Sequence, residues 1–182
     1  MRQFFASVLE IFEVTVIAIG AVALIRSFLV QPFLVSGSSM VPNFAHGDYL
    51  LVDELTYRFR EPQRGEVAVF YFPKDESTYF IKRIIGLPGE RVVIEGGTIR
   101  ILDEANPEAV VLKEKYLAPG TMLGGDADVT LGESEYFVLG DNRSFSFDSR
   151  SWGTLERDHI VGLVRFRLWP IANAMAFGAP QY

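Results

Sequence analysis

The chain has 182 residues, of which 49% are hydrophobic and 22% charged, with a formal net charge of −6. This composition excludes bulk disorder, the length suits one compact domain with an appendage, and the acidic balance argues against a general nucleic-acid binder. There is no cysteine and there are only two histidines, His46 and His159, which excludes a disulfide scaffold, a thiol nucleophile, an iron–sulfur cluster and a cysteine zinc site.

The first segment, MRQFFASVLEIFEVTVIAIGAVALIRSFLV, predicts a helix. Between Val14 and Ile25 its only polar side chain is Thr15. Extended back to Phe4 it would be about 33 Å long, near the hydrocarbon thickness of a bilayer. Glu10 and Glu13 fall in the first half, within reach of an interface, and Ile11–Val30 is an alternative window. A cleavable signal peptide would end in a small-residue site, whereas this run meets Arg26 and the bulky Phe28, Leu29 and Val30. A buried core helix is the plainer alternative. The hydropathy favours an uncleaved single-span anchor over residues 1–30, followed by a soluble body over 31–182. Arg2 and Arg26 balance Glu10 and Glu13, so all of the net charge falls in the body. The positive-inside rule leans slightly towards a cytoplasmic N-terminal tail.

After residue 33 the chain alternates short apolar runs with Gly, Pro and acidic turns. Strands are predicted at Tyr49–Val52, Glu66–Phe72, Tyr79–Ile85, Arg91–Glu95, Thr98–Leu102, Tyr136–Leu139 and Ile160–Leu168. The glycine pair in Glu95-Gly96-Gly97-Thr98 signals a hairpin, because such turns need positive φ. Short helical turns are expected only near Asn106–Ala109. The last stretch, broken by Arg165, Arg167, Pro170 and Asn173, reads as a strand with a tail suited to a membrane surface. The pattern implies a mainly β, antiparallel, coiled or barrel-like domain.

Three segments carry candidate chemistry. Val35-Ser36-Gly37-Ser38-Ser39-Met40-Val41-Pro42 places serines directly after the apolar segment, although such clusters are more often plain loops. In Tyr79-Phe80-Ile81-Lys82-Arg83-Ile84-Ile85, strand alternation sends Lys82 and Arg83 to opposite faces. One of them is free to face solvent; the other is flanked by apolar groups, and a lysine there loses solvation and its pKa falls. The plainer reading is an edge strand guarded by solvated charges. Leu139-Gly140-Asp141-Asn142-Arg143-Ser144-Phe145-Ser146-Phe147-Asp148-Ser149-Arg150 is dense in hydrogen-bonding groups, and Asp148 with Arg150 is a candidate pair for holding a loop.

Together these segments resemble the bacterial type I signal peptidases, membrane-bound Ser/Lys endopeptidases. Gly37-Ser38-Ser39-Met40-Val41-Pro42 resembles the family's nucleophile box, followed by Gly47-Asp48. Arg64-Gly65-Glu66-Val67-Ala68-Val69-Phe70 resembles the strand box. Lys82-Arg83-Ile84-Ile85-Gly86-Leu87-Pro88-Gly89-Glu90 resembles the lysine box, and Gly140-Asp141-Asn142-Arg143 through Arg150 the last box. The resemblance implies a signal-peptidase-like coiled antiparallel β-sheet domain behind one N-terminal transmembrane helix. It makes Ser39 the nucleophile, with Ser38 as its rival, Lys82 the general base, and Ser146 the hydroxyl that orients the lysine. Asp148 and Arg150 become a structural pair. Gly37 stands where some members carry an oxyanion serine, leaving that role to the Ser39 N–H and neighbours such as Ser38. Asn43 replaces the threonine usual after the proline.

The implied activity is cleavage of signal peptides from exported preproteins after small residues, through an acyl-enzyme, with no metal or organic cofactor. The implied partners are preprotein signal peptides, membrane lipid and the export machinery, but no nucleic acid. The implied location is the cell membrane, with the body outside the cytoplasm. Phe33–Ser36 and Tyr79–Lys82 would flank an extended peptide, and Phe33, Val35, Met40, Phe44, Phe80 and Ile81 would line its pockets. Three alternatives stay open: a soluble self-cleaving Ser/Lys repressor protease, a Ser-His-Asp hydrolase using His46 or His159, and a non-enzymatic anchored β domain.

Overall fold

The computed structural model describes residues 2–28, 30–103 and 108–179, the side chains of residues 2–6 and 23–30 excepted. Helix α1 (Arg2–Phe28) comes first. The side chains described in it, residues 7–22, are all exposed, among them Leu9, Ile11, Phe12 and Ile17. The helix expected in this segment is present. Among the described residues, however, no helix is long and apolar enough to cross a membrane.

The body is built from antiparallel strands. In chain order they are β1 (Val30–Leu34), β2 (Tyr49–Asp53), β3 (Val67–Phe72), β4 (Asp75–Gly86), β5 (Arg91–Glu95), β6 (Thr98–Leu102), β7 (Val110–Val111), β8 (Ala127–Thr130), β9 (Glu135–Leu139), β10 (Leu155–Glu156), β11 (Ile160–Trp169) and β12 (Met175–Ala176), with short helices α2 (Thr56–Phe59) and α3 (Ser149–Trp152). The larger sheet runs β1-β2-β11-β3-β4-β9-β10, with β12 on β11; the smaller runs β7-β6-β5-β8.

The expected strands at Arg91–Glu95 and Thr98–Leu102 form as read and pair in register, Glu95 opposite Thr98. Gly96 and Gly97, at φ 55° and 76°, make the turn between them. Both φ values are positive, as a two-residue hairpin turn of this hand requires. The expectation at Tyr79–Ile85 was too short, because β4 begins at Asp75. Its polar start, Asp75-Glu76-Ser77-Thr78, lacks apolar alternation, since this half of the strand is largely exposed. β1, β7, β8, β10 and β12 were not expected. β1 continues the apolar run of the first segment, and the other four are two to four residues long. Of the turns expected near Asn106–Ala109, residues 106 and 107 lie outside the described residues, and residues 108–109 are not helical.

Alternation on β3 and β4 divides the larger sheet into two apolar faces. One face carries Ala68, Phe70 and Ile84 against Tyr136, Trp152, Leu155 and Leu163, with Phe80 packed alongside. The other carries Val67 and Val69 against Val35, Met40, Phe44, Leu50, Val52 and Val164, with Ile81 alongside. A third cluster joins β4 and β9 to the smaller sheet through Ile85, Phe137 and Leu139 against Val92, Ile94, Ile99 and Ile101.

β11 is an interior strand, between β2 and β3. At Gly162 a Cβ would stand 2.7 Å from both the Asp53 carbonyl oxygen and Val52 Cγ1. Neither the backbone oxygen nor the packed β2 strand can yield cheaply. Gly162→Ala is therefore expected to lower unfolding free energy by about 1–3 kcal/mol, read as a reduced urea midpoint at unchanged slope. A midpoint equal to wild type would show that β2 and β11 are less tightly apposed than described.

Candidate active site

The loop between β1 and β2 carries the serine cluster. It is closed by backbone hydrogen bonds from Val35 N–H to the Asp48 carbonyl (2.9 Å) and from Gly47 N–H to the Val35 carbonyl (3.0 Å). Asp48 is buried; its carboxylate accepts from Ala45 N–H (2.9 Å) and from Arg167 Nη1 (2.8 Å), and Arg167 Nη1 also donates to the Asn43 carbonyl (3.0 Å). Met40 and Phe44 anchor the loop from below, at 1% and 0% exposure. Pocket-lining roles were expected for these two, but they are core residues outside the cavity, because the chain turns at Met40 and drives both side chains into the cluster under β2.

Opposite this loop, Lys82 projects from β4. Its Nζ donates to Ser39 Oγ at 2.8 Å and to the Ile81 carbonyl at 2.9 Å. It lies 5.1 Å from the centre of the Phe80 ring and is 4% exposed. Burial of the ammonium pushes the Lys82 pKa down to about 8, against the opposing pull of the carboxylates of Asp148 and Asp141. Desolvation wins because the charged form has exchanged water for apolar neighbours and few acceptors.

Neither Lys82 nor Arg83 faces solvent, contrary to the expectation for one of the two. Arg83 is 5% exposed on the opposite face. Its Nε and Nη2 grip Asp141 at 2.8 and 2.6 Å, and Nη1 donates to the Gly65 carbonyl at 2.7 Å. A buried guanidinium is tolerated here because a matching carboxylate and carbonyl accept its N–H hydrogen bonds.

The segment after β9 closes the site from a third side. Gly140 has no room for a Cβ, which would stand 2.1 Å from Ser146 Oγ and 2.4 Å from the Ser39 carbonyl oxygen. Asn142 N–H donates to that carbonyl (2.9 Å), and Asn142 Nδ2 donates to the Ser38 carbonyl (3.0 Å). Asp148, fully buried, accepts from Gly140 N–H (3.1 Å) and from Arg150 Nε and Nη2 (both 2.8 Å). The hydrogen bond expected between Ser146 and Lys82 is not formed. Ser146 Oγ is buried beside the Ser39 carbonyl without a partner.

Residues outside the expected set brace the arrangement. Asn43 Nδ2 donates to Asp141 (2.8 Å) and to the Tyr116 carbonyl (3.1 Å). The Tyr116 ring lies 4.0 Å beneath the Arg83 guanidinium. Arg143, wholly buried, donates Nε to the Gly140 carbonyl (3.0 Å) and pairs bidentately with Glu114. Strand periodicity could not reveal Glu114 and Tyr116, which sit in an irregular segment far along the chain from their partners. The one available signal was Arg143 itself, an arginine in a tight polar loop.

A cavity of about 460 Å³ opens over Ser39 and Lys82. Of the residues expected to line it, Phe33, Val35, Phe80 and Ile81 do so, as do Gly37, Ser38 and the unforeseen Phe145 and Phe147. Gly37 N–H donates to His46 Nδ1 at 3.3 Å, while His159 Nε2 stands 3.5 Å from Glu76. No hydrogen bond from either imidazole to the Ser36–Ser39 serines is among the described contacts. The serine partner among the described residues is therefore a lysine.

An antiparallel β fold that buries a lysine amine against a serine hydroxyl defines a candidate serine hydrolase. A family model described as signal peptidase, peptidase S26, matches residues 8–169. A signal peptidase I T of Bacillus subtilis is 37% identical over 166 residues, 89% of this chain and 86% of its own. A probable signal peptidase I-2 of Synechocystis sp. is 36% identical over 163 residues, 86% of this chain and 69% of its own. A solved signal peptidase I from Enterococcus faecalis shares 31% identity, covers 57% of this chain and 97% of its own, and has a TM-score of 0.48. The chain belongs to the signal peptidase S26 family, a family of peptidases.

Glu114 supplies the carboxylate for a fully buried guanidinium, so its removal leaves a stranded charge. Glu114→Ala is expected to cost about 3–5 kcal/mol in chemical denaturation. Glu114→Gln, which keeps one acceptor, should cost less. A Glu114→Ala chain as stable as wild type would mean that Arg143 finds other partners.

Proposed function

We propose that the chain is a membrane-anchored serine endopeptidase that removes N-terminal signal peptides from exported preproteins. Ser39 is the nucleophile and Lys82 the general base. The observation that carries this reading is the 2.8 Å contact between Lys82 Nζ and Ser39 Oγ, with the amine buried. When Lys82 is neutral the same contact runs in reverse, the Ser39 hydroxyl donating to the amine lone pair. Ser39 Oγ attacks the scissile carbonyl, its proton passes to Nζ, and the amine leaving group takes a proton from the resulting ammonium. Water, deprotonated by the same lysine, then hydrolyses the acyl-enzyme. The Ser39 backbone N–H is our candidate donor to the oxyanion.

The substrate is an extended peptide lying between the β1 and β4 edges. Residues one and three before the cut share a side in an extended chain. Val35, buried, and Ile81, half-buried, line the cavity on that side, which supports a preference for small residues there. The contact partners of His46 and His159 disfavour the Ser-His-Asp alternative, and membership of a peptidase family disfavours the inert anchored domain.

The same reading assigns residues 1–30 to a membrane anchor and 31–182 to the catalytic domain. The N-terminus is cytoplasmic and the domain extracytoplasmic, where preproteins emerge from the export machinery. The support is the exposed apolar surface of α1 and the family, not charge bias.

The pH dependence follows from the lysine. Its folded pKa, about 8, lies below the ordinary 10.5. At pH 7 about a tenth of the molecules hold the neutral base, against about one in three thousand for a solvated lysine. Preprotein cleavage by the full chain in detergent should rise about tenfold per pH unit below pH 8 and level off above it. Ser39→Ala should abolish cleavage, and Lys82→Arg should reduce it by at least about 100-fold, because a guanidinium keeps its proton. Near-normal cleavage by Lys82→Arg would end the Ser/Lys assignment.

A further inference from the structure

The proton chemistry of the dyad leaves two aromatic residues without a role. Phe145 and Phe147 flank Ser146 in the loop after β9 and are 77% and 53% exposed. Single exposed apolar residues are ordinary, but two at the mouth of one cavity call for an occupant. Both line the cavity that holds Ser39 and Lys82.

Their position relative to the sheet says which part of a substrate they meet. The cavity straddles the edge of β4. On one side its wall is Val35, Val69 and Ile81, from one apolar face of the larger sheet. On the other its wall begins with Phe80, which packs with the opposite face. Phe147 extends that second wall, its ring 6.5 Å from Phe80 and 5.9 Å from Phe72. Among the described residues, β4 pairs with β9 only from Arg83 onward, and β1 pairs only with β2. The edges at Tyr79–Lys82 and at β1 are therefore open to an added strand.

A peptide inserted there alternates its side chains between the two walls. Residues one and three before the cut face the Val35 and Ile81 wall, so the residue two before the cut faces Phe80 and Phe147. The first residue beyond the cut has the same sense but lies past Ser39, off the paired edge. We propose that Phe145 and Phe147, together with Phe80, form a subsite for a bulky apolar side chain at the substrate position two before the cut. This rests on the endopeptidase reading of the site. The occupant is a peptide side chain, since the rings share their cavity with the reacting groups.

The test uses two peptides spanning one small-residue cleavage site, identical except for Phe or Ser two residues before the cut. They are cleaved by the full chain in detergent micelles. Wild type should favour the Phe peptide about tenfold in kcat/KM, a discrimination typical of one apolar contact. Phe145→Ala/Phe147→Ala should shrink that preference to about twofold. Because Phe147 packs on Phe72 and Phe80, Phe145→Ala alone guards against misfolding; it should lower the preference about threefold at unchanged Tm.

Equal cleavage of the two peptides by wild type, or a preference that survives in the double variant, overturns the subsite. Cleavage of neither peptide by wild type defeats the endopeptidase reading itself and the subsite with it. If Phe145→Ala weakens binding to phospholipid vesicles while the peptide preference persists, the rings belong to a membrane contact and the subsite is overturned.

Discussion

The candidate site of this fold depends on a lysine stripped of its water. Lys82 is 4% exposed, its same-face neighbours on β4, Phe80 and Ile84, are apolar, and its amine meets only Ser39 Oγ and one carbonyl among its described hydrogen-bond partners. An ammonium needs three acceptors, so the protonated form is the poorly served one. The cost of that burial, a shift from 10.5 to about 8, corresponds to roughly 3 kcal/mol that the folded state bears when the lysine is protonated. Since the folded pKa lies below the unfolded one, this penalty is full below pH 8 and disappears as pH rises towards 10.5. Under the proposed function, stability is given up at neutral pH in the place where a neutral amine is needed.

The surrounding ion pairs make sense in that light. Asp148 and Asp141 both draw the Lys82 pKa upward. Left unpaired, two buried carboxylates near an amine would hold it protonated. Each is instead gripped through two bonds by an arginine, Asp148 by Arg150 and Asp141 by Arg83. The arginines offset the carboxylate charge near the lysine and at the same time fix the segment after β9 and the strand that carries Lys82. Asn43, Asn142 and Tyr116 tie the serine loop into the same network. Ser39 and Lys82 are thus located by polar groups that are themselves satisfied, which is how a site holds sub-ångström geometry.

Much of the fold was legible where residues alternate with period two against a packed face. β5 and β6 were read to the residue, and β2, β3, β9 and β11 to within one. Legibility ended where the physical cause was not local. The first half of β4 is polar because it is exposed, β1 is masked by the apolar run that precedes it, and β7, β10 and β12 are two residues long. In the site, Ser39 and Lys82 emerged from motif resemblance, whereas alternation alone allowed Lys82 a solvent-facing position. The Arg83–Asp141 and Arg143–Glu114 pairs could not be read, because a charge-pair partner 58 or 29 positions away leaves no periodic trace. Met40 and Phe44 were misplaced for a related reason: apolar residues beside the serine cluster serve equally well as pocket wall or as floor, and only the path of the loop decides.

The central claim is that Lys82 is a weakened base in the folded chain before any substrate binds. Titrating the full chain in detergent micelles, with lysine labelled at the side-chain carbon and nitrogen, measures this by NMR. Lys82→Arg identifies which resonance is absent. The account predicts one lysine with a midpoint at about 8 while the others titrate in the ordinary range. A Lys82 midpoint near the ordinary value of 10.5 would contradict it.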